Sequence, residues 1–147
     1  FMPDFSDASL RKLTTCHKDL QAIFNEVVFM QDCTIVEGHR SEERQNELHR
    51  TGKSQVVYPN SKHNSYPSMA ADVVRYHPDK PHIHWSDLDD FENFAVYVLT
   101  TADALYKKGI ITHELLWGGD WDRDGVRVDK STNERFFDGP HFQLVSK

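Results

Sequence analysis

Two histidines and one aspartate, far apart in the chain, have the residue types and settings of a metal site. His63 ends the polar stretch SKH, Asp72 lies inside the apolar run AADVV, and His141 ends DGPH. A carboxylate in an apolar strand is costly unless it is paired or bound to a metal ion. Two imidazoles and one carboxylate, with a fourth position open to water, match the ligand set of catalytic zinc. Zinc in such a site lowers the pKa of its bound water to about 7, which makes hydroxide available at neutral pH.

Asp138 and Arg40 could complete a hydrolytic site around this ion. Asp138 precedes His141 across a Gly-Pro turn, which can fold its carboxylate back over the metal. A metal hydrolase needs a proton acceptor that is not a ligand, so Asp138 is the predicted general base and acid. Arg40 lies where a predicted strand meets a helix, and it is the predicted cation that stabilises an oxyanion.

Four stretches resemble one known family: TIVEGHRS, SKH with the later AADVV, WGGDW and DGPHFQL. Together they resemble the zinc D-alanyl-D-alanine carboxypeptidase and dipeptidase family of cell-wall peptidases, and within it the phage endolysins that are L-alanyl-D-glutamate endopeptidases. The resemblance covers about residues 8–145. It implies Zn²⁺ on His63, Asp72 and His141, Asp138 as the base, Arg40 as a substrate or oxyanion clamp, and the peptidoglycan stem peptide as substrate.

The chain departs from the family pattern at two places. His63 and Asp72 are nine residues apart where the family usually shows seven, and NSYPSM has the character of a two-residue insertion in a loop. Such an insertion is tolerated because loop length costs little free energy. Gln143 stands where the family often carries Glu, at the position expected to support His141.

The sequence also contains a candidate calcium loop, for which an acidic loop beside the active site is the alternative, and a substrate groove. DWDRDG places oxygen side chains at the first, third and fifth positions of a calcium loop and glycine at the sixth: Asp120, Asp122, Asp124 and Gly125. The twelfth position is Ser131 rather than Glu, so Asp129 or Glu134 would have to substitute. In the groove, Trp117 and Trp121 are expected to form apolar walls beside Ser61 of the SKH motif.

Two other histidine-containing stretches are weaker candidates. HELLW at 113–117 begins like the zinc motif HExxH, but Trp117 replaces the second histidine and the segment has the pattern of a strand. His77, His82 and His84 lie in a proline-containing segment, where a solvated loop is the expected structure.

Length and composition favour a single domain that binds neither nucleic acid nor membrane. The chain has 147 residues and a net charge of −6, which disfavours binding to a phosphate backbone. No apolar run approaches the roughly 18 to 20 residues that span a bilayer. No basic and apolar leader opens the sequence, so a secretory signal is not expected. Together with the resemblance to phage endolysins, this implies an enzyme that accumulates in the host cytoplasm and acts on the wall after release. We also expect a monomer. Cys16 and Cys33 are expected to be reduced thiols.

Hydrophobic periodicity predicts an α+β domain, with a small antiparallel sheet packed against helices. Helices are expected over 7–30, from Ser41 to Gly52, and from Ser86 to about Lys108, with Ser6, Ser41 and Ser86 as their N-caps. Strands are expected over 33–36, 69–74, 114–117 and 141–145, with a long acidic loop over 118–137. Period two in the last strand places His141 and Gln143 on one face and Phe142 and Leu144 in the core.

Two other functions remain open at this point. One is a D-alanyl-D-alanine carboxypeptidase or dipeptidase of the same family, which the same metal set would serve. The other is a non-catalytic peptidoglycan-binding module, against which Asp138 and Arg40 both argue.

Overall fold

A computed structural model describes residues 3–128 and 136–146 and confirms the predicted α+β class. Along the chain the elements are α1 (Asp7–Leu13), α2 (Lys18–Met30), β1 (Cys33–Glu37), α3 (Glu42–Arg50), β2 (Ala70–Arg75), α4 (Leu88–Lys107), β3 (Glu114–Trp117) and β4 (His141–Val145). Helices and strands therefore interleave along the chain. Within the described ranges, none of the helices has the length and apolar character needed to cross a bilayer.

The four strands form one antiparallel sheet in the order β1-β2-β4-β3. Phe142 of β4 is fully buried, and its ring packs edge-on against Phe24 of α2 and Phe94 of α4. Because side chains alternate along a strand, burial of Phe142 and Leu144 places His141 and Gln143 on the opposite face. The helices thus cover one face, and the other is left for polar chemistry.

The predicted first helix over 7–30 is wrong in one respect, because the chain forms two helices separated at residues 14–17. Ser68 accepts a hydrogen bond from the His17 backbone and donates one to the Thr15 carbonyl, which replaces helical bonds at this point. His17 then caps α2, since its Nδ1 accepts from the Asp19 backbone N–H at 2.9 Å. The partner of this break lies about fifty residues away in the chain, so helical periodicity could not indicate it.

Capping side chains set the start of α1, α3 and α4. Ser6 and Ser41 cap α1 and α3 as predicted. The start of α4 is displaced by one residue, since Asp87 rather than Ser86 accepts a bond from the Asp90 N–H. Gly109 follows α4 with a φ of 75°, a left-handed conformation that glycine adopts without strain.

A β-bulge in β1 changes the direction of Glu37. Ile35 pairs with Val73 and Glu37 pairs with the adjacent residue Asp72, so Val36 is the extra residue. In a regular strand Ile35 and Glu37 would point to the same face. The bulge instead keeps Ile35 in the core and turns Glu37 to the face that carries Asp72 and His141.

Candidate active site

The sheet and one loop bring the three predicted metal ligands together. Asp72 on β2 pairs directly with His141 on β4, so both side chains leave the same face. His63, from the loop after α3, places Nε2 at 3.2 Å from Asp72 Oδ1, and His141 Nδ1 lies 3.3 Å from the same oxygen. One ligand atom from each residue lies within 4.8 Å of the others. We call this set the triad.

The outer nitrogen of each histidine is hydrogen bonded, which fixes the ring and its tautomer. His63 Nδ1 donates to the Gly38 carbonyl at 2.8 Å, and His141 Nε2 donates to Gln143 Oε1 at 2.8 Å. Each ring therefore presents a lone pair toward Asp72, as imidazoles do when an outer acceptor supports a metal ligand. The donor set fits a divalent ion such as zinc, and Gln143 is the acceptor that holds the His141 ring.

The triad also lowers the pKa of its carboxylate, Asp72. When no ion is bound and both rings are protonated, they donate to Asp72. Burial by itself raises the pKa of Asp72, but the charge of His63 and these hydrogen bonds from His141 and His63 hold it well below its usual range. Burial lowers the pKa of His141, and the bond to Asp72 and its charge more than compensate, so the net shift is upward. Asp72 is thus an anion at neutral pH, which suits a metal ligand.

Asp138 lies on the turn that leads into β4. Burial raises its pKa, and the negative charge of Asp72 raises it further, while His141, His63 and Arg40 act in the opposite direction. Its backbone N–H donates to the Gly118 carbonyl at 2.8 Å, and its own carbonyl accepts from His141 N–H at 3.1 Å. These two bonds fix the turn that carries Asp138, the predicted general base, between β3 and the triad.

Arg40 is held beside the triad by a buried polar network. One guanidinium nitrogen lies 2.6 Å from Glu37 Oε2 and 3.8 Å from Asp72 Oδ2, and the other donates to Gln45 Oε1 at 2.9 Å. Asn64 donates to the Arg40 carbonyl at 3.1 Å. Arg40 Nε is buried without a hydrogen-bond partner in the described part of the chain.

Glu37, Gln45 and Asn64 are site residues that the sequence reading missed. Glu37 precedes Arg40 by three residues in EGHR, and this spacing was the one available signal. Gln45 is completely buried, although it lies in a helix whose first turn is acidic. Its role depends on the groups that pack against this helix, which the sequence alone does not show.

Comparisons with known proteins give the family of the chain. The profile of the family described as phage L-alanyl-D-glutamate peptidase matches residues 2–145, nearly the whole chain. The chain belongs to this peptidase family. A crystal structure of Serratia marcescens L-Ala D-Glu endopeptidase ChiX is similar, with 28% sequence identity, a TM-score of 0.69, and coverage of 97% of this chain and 91% of that one. No curated protein matches the chain significantly.

The triad of the peptidase opens into a cleft of about 320 Å³. Trp121 lines it, with its ring 5.4 Å from that of His141. Ser61 also lines the cleft, and its hydroxyl accepts from the His63 backbone N–H at 3.2 Å. Trp117 differs from its prediction: it is 4% exposed, and its indole N–H donates to the Gly139 carbonyl at 2.7 Å. Because β3 ends with this side chain in the core, Trp117 supports the turn of Asp138 instead of lining the cleft.

The acidic loop of the peptidase gathers three of the four predicted calcium ligands. Oxygens of Asp120, Asp122 and Asp124 lie within 4.8 Å of one another. Asp120 accepts from the backbone N–H groups of Asp124 and Gly125, and burial raises its pKa to about 6. The fourth predicted ligand, Asp129, and its alternative Glu134 lie outside the described residues.

The histidines of the two weaker candidate stretches make contacts away from the triad. His113 donates to Asp19 Oδ2 at 2.8 Å, at the start of β3. His77 lies 2.8 Å from Asp90 Oδ2 and stacks on His84 with ring centroids 3.7 Å apart, so these histidines are half-buried rather than fully solvated.

Proposed function

We propose that this chain is a zinc metallopeptidase that hydrolyses the L-alanyl-D-glutamate bond in the peptidoglycan stem peptide. Membership of the phage L-alanyl-D-glutamate peptidase family supports the substrate class. The observation that carries the metal assignment is the convergence of His63 Nε2, Asp72 Oδ1 and His141 Nδ1. When bound, zinc supplies Lewis acidity toward the amide carbonyl and lowers the pKa of its water to about 7.

Asp138 is assigned the proton transfers. Its elevated pKa suits a group that must first accept and then release a proton. As water attacks the alanine carbonyl carbon, Asp138 takes the proton of the water. As the C–N bond breaks, Asp138 gives that proton to the departing amine of D-glutamate, so the products are a carboxyl and an amino group.

Arg40 is assigned to the negative charge that develops on the carbonyl oxygen. Glu37 and Gln45 fix its guanidinium before substrate arrives, so little reorganisation is needed in the transition state. Glu37 also balances the charge of this buried cation in the free enzyme.

The phage family supports a biological role in lysis of the host wall at the end of infection. For this role we expect the enzyme to accumulate in the host cytoplasm and to reach the wall after release. Addition of the protein to chloroform-treated Gram-negative cells should cause loss of turbidity, and unchanged turbidity would contradict the lytic role.

Calcium binding by residues 120–125 remains a prediction. The grouped oxygens of Asp120, Asp122 and Asp124 support it, and calcium titration of the zinc-loaded protein tests it. Saturable binding that Asp122→Asn and Asp124→Asn together weaken is the expected result.

Metal analysis combined with muropeptide digestion tests the proposed function. We expect about one zinc per chain in the wild type and loss of zinc and activity in His141→Ala, because two ligands rarely retain the ion. Asp138→Asn should keep the zinc and lose about 10²- to 10⁴-fold in kcat, since only the proton transfer is removed.

The products separate the alternatives. A new N-terminal D-glutamate in the digest identifies the endopeptidase, whereas release of terminal D-alanine would identify a carboxypeptidase. Wall binding without any released peptide would contradict a catalytic role.

A further inference from the structure

The cleft beside the triad extends along the loop that follows α3, and this loop is its basic side. The lining residues of this side include Leu48, Lys53, Ser54, Gln55, Val56, Asn60, Ser61 and Lys62. We call residues 53–62 the basic arm. Its two charged side chains in the cleft are both lysines, in a protein whose net charge is −6.

Both ammonium groups are available to a ligand. Neither Lys53 nor Lys62 forms an ion pair or side-chain hydrogen bond in the described part of the chain. Arg40, the third cation of the cleft, is by contrast already paired with Glu37. Two unpaired cations in one concave surface raise the local potential and favour an anion there.

The arm is fixed relative to the triad at both of its ends. Lys62 directly precedes His63, so their Cα atoms are about 3.8 Å apart. At the other end, Gln45 Nε2 donates to Ser54 Oγ at 3.0 Å and to the Val56 carbonyl at 2.6 Å. The Oε1 atom of the same amide accepts from Arg40. A single buried side chain, Gln45, therefore joins the arm to the cation that is assigned to the oxyanion.

The substrate supplies a group of matching charge. In the substrate, alanine acylates the amine of glutamate, and this glutamate has two carboxyl groups. The next residue of a linear peptide forms its amide bond with only one of them. The other stays close to the scissile bond, either as a carboxylate or as its primary amide.

We propose that Lys53 and Lys62 form a carboxylate subsite that selects stem peptides in which this second carboxyl group of D-glutamate is free. This inference rests on the proposed function. The subsite binds a group that does not react, so it stabilises the bound substrate and the transition state alike. Its contribution therefore appears in KM rather than in kcat.

Two synthetic L-alanyl-D-glutamyl-L-lysine peptides test the subsite, one with the second carboxyl free and one with it as a carboxamide. Release of L-alanine by the zinc-loaded enzyme gives kcat and KM for each. Charge-assisted hydrogen bonds should favour the free acid by about tenfold or more in kcat/KM at low salt. Added salt should reduce this preference, because the lysines are solvent-accessible.

Lys53→Met with Lys62→Met should bring the acid-to-amide ratio close to one through a higher KM for the acid. Lys108→Met is the matched control, since this exposed lysine caps α4 outside the cleft, and it should keep the wild-type ratio. Lys62→Glu should reverse the preference toward the amide.

Equal cleavage of both peptides by the wild type would overturn the subsite while leaving the proposed function intact. A double lysine variant that keeps the preference, or that loses kcat on both peptides, would also overturn it. Cleavage of neither peptide would overturn the proposed bond specificity and the subsite with it.

Discussion

At the residue scale, the two histidines of the triad offer different ring nitrogens. His63 turns Nε2 toward Asp72, and His141 turns Nδ1 toward the same oxygen. The choice is made by the outer acceptors, a backbone carbonyl for His63 and the Gln143 amide for His141. Sequence motifs identified both residues, but the tautomer depends on neighbours that only the folded chain supplies.

Substitution of Gln143 should change metal affinity without removing a ligand. Gln143→Leu deletes the acceptor of His141 Nε2 and should weaken zinc binding by about ten- to a hundredfold. Gln143→Glu keeps an acceptor and should retain the affinity. Chelator competition measures both, and equal zinc affinity for the leucine variant and the wild type would contradict the supporting role.

At the element scale, irregularities of the strands build the site. The bulge at Val36 turns Glu37 toward Arg40, and the turn after β3 brings Gly118 against the chain before β4. A β-carbon at Gly118 would collide with the Asp138 carbonyl and lie 3.0 Å from Cβ of His141. The absence of a side chain at Gly118 therefore allows the base and a ligand to sit side by side.

Gly118→Ala should consequently damage both stability and catalysis. Displacement of the Asp138 turn should cost about 1–3 kcal/mol in the free energy of unfolding, as overpacking usually does. Activity should fall further than stability explains, because both Asp138 and His141 move. Chemical denaturation and muropeptide digestion measure the two effects, and a fully active variant would contradict the close approach.

At the scale of the whole molecule, Asp19 joins α2 to the segment that enters β3. It is 2% exposed, and its Oδ2 accepts bonds from Thr112 and from the backbone and ring of His113. Burial raises the pKa of Asp19, but the bonds from His113 and Thr112 lower it more, so the folded value lies below the usual range. A depressed pKa means that the ionised form stabilises the fold.

This stabilisation should be present at neutral pH and lost in acid. It is complete above the unfolded pKa of about 3.9 and disappears as the pH falls through the lower folded value. Asp19→Asn should therefore lower the free energy of unfolding at pH 7 by about 1–3 kcal/mol, with a smaller deficit near pH 2.

Asp7→Asn serves as the control, because Asp7 is an exposed residue in the first turn of α1. Denaturant unfolding at several pH values gives the comparison. A deficit for Asp19→Asn that stays constant from pH 7 to pH 2 would show that the charge of Asp19 does not contribute.

The sequence by itself determined the α+β class, most element positions and the identities of the triad, because these follow from local periodicity, capping residues and short motifs. Tertiary structure decided the break at residues 14–17, the core position of Trp117 and the network of Glu37 and Gln45. The break and the position of Trp117 depend on partners distant in the chain, Ser68 and Gly139. The network joins residues that are closer in sequence, but it forms only because the bulge in β1 and the loop after α3 bring them together. The spacing of residues along a helix or strand indicates which face of the element a side chain occupies. The groups that contact the side chain on that face are set only when the elements pack.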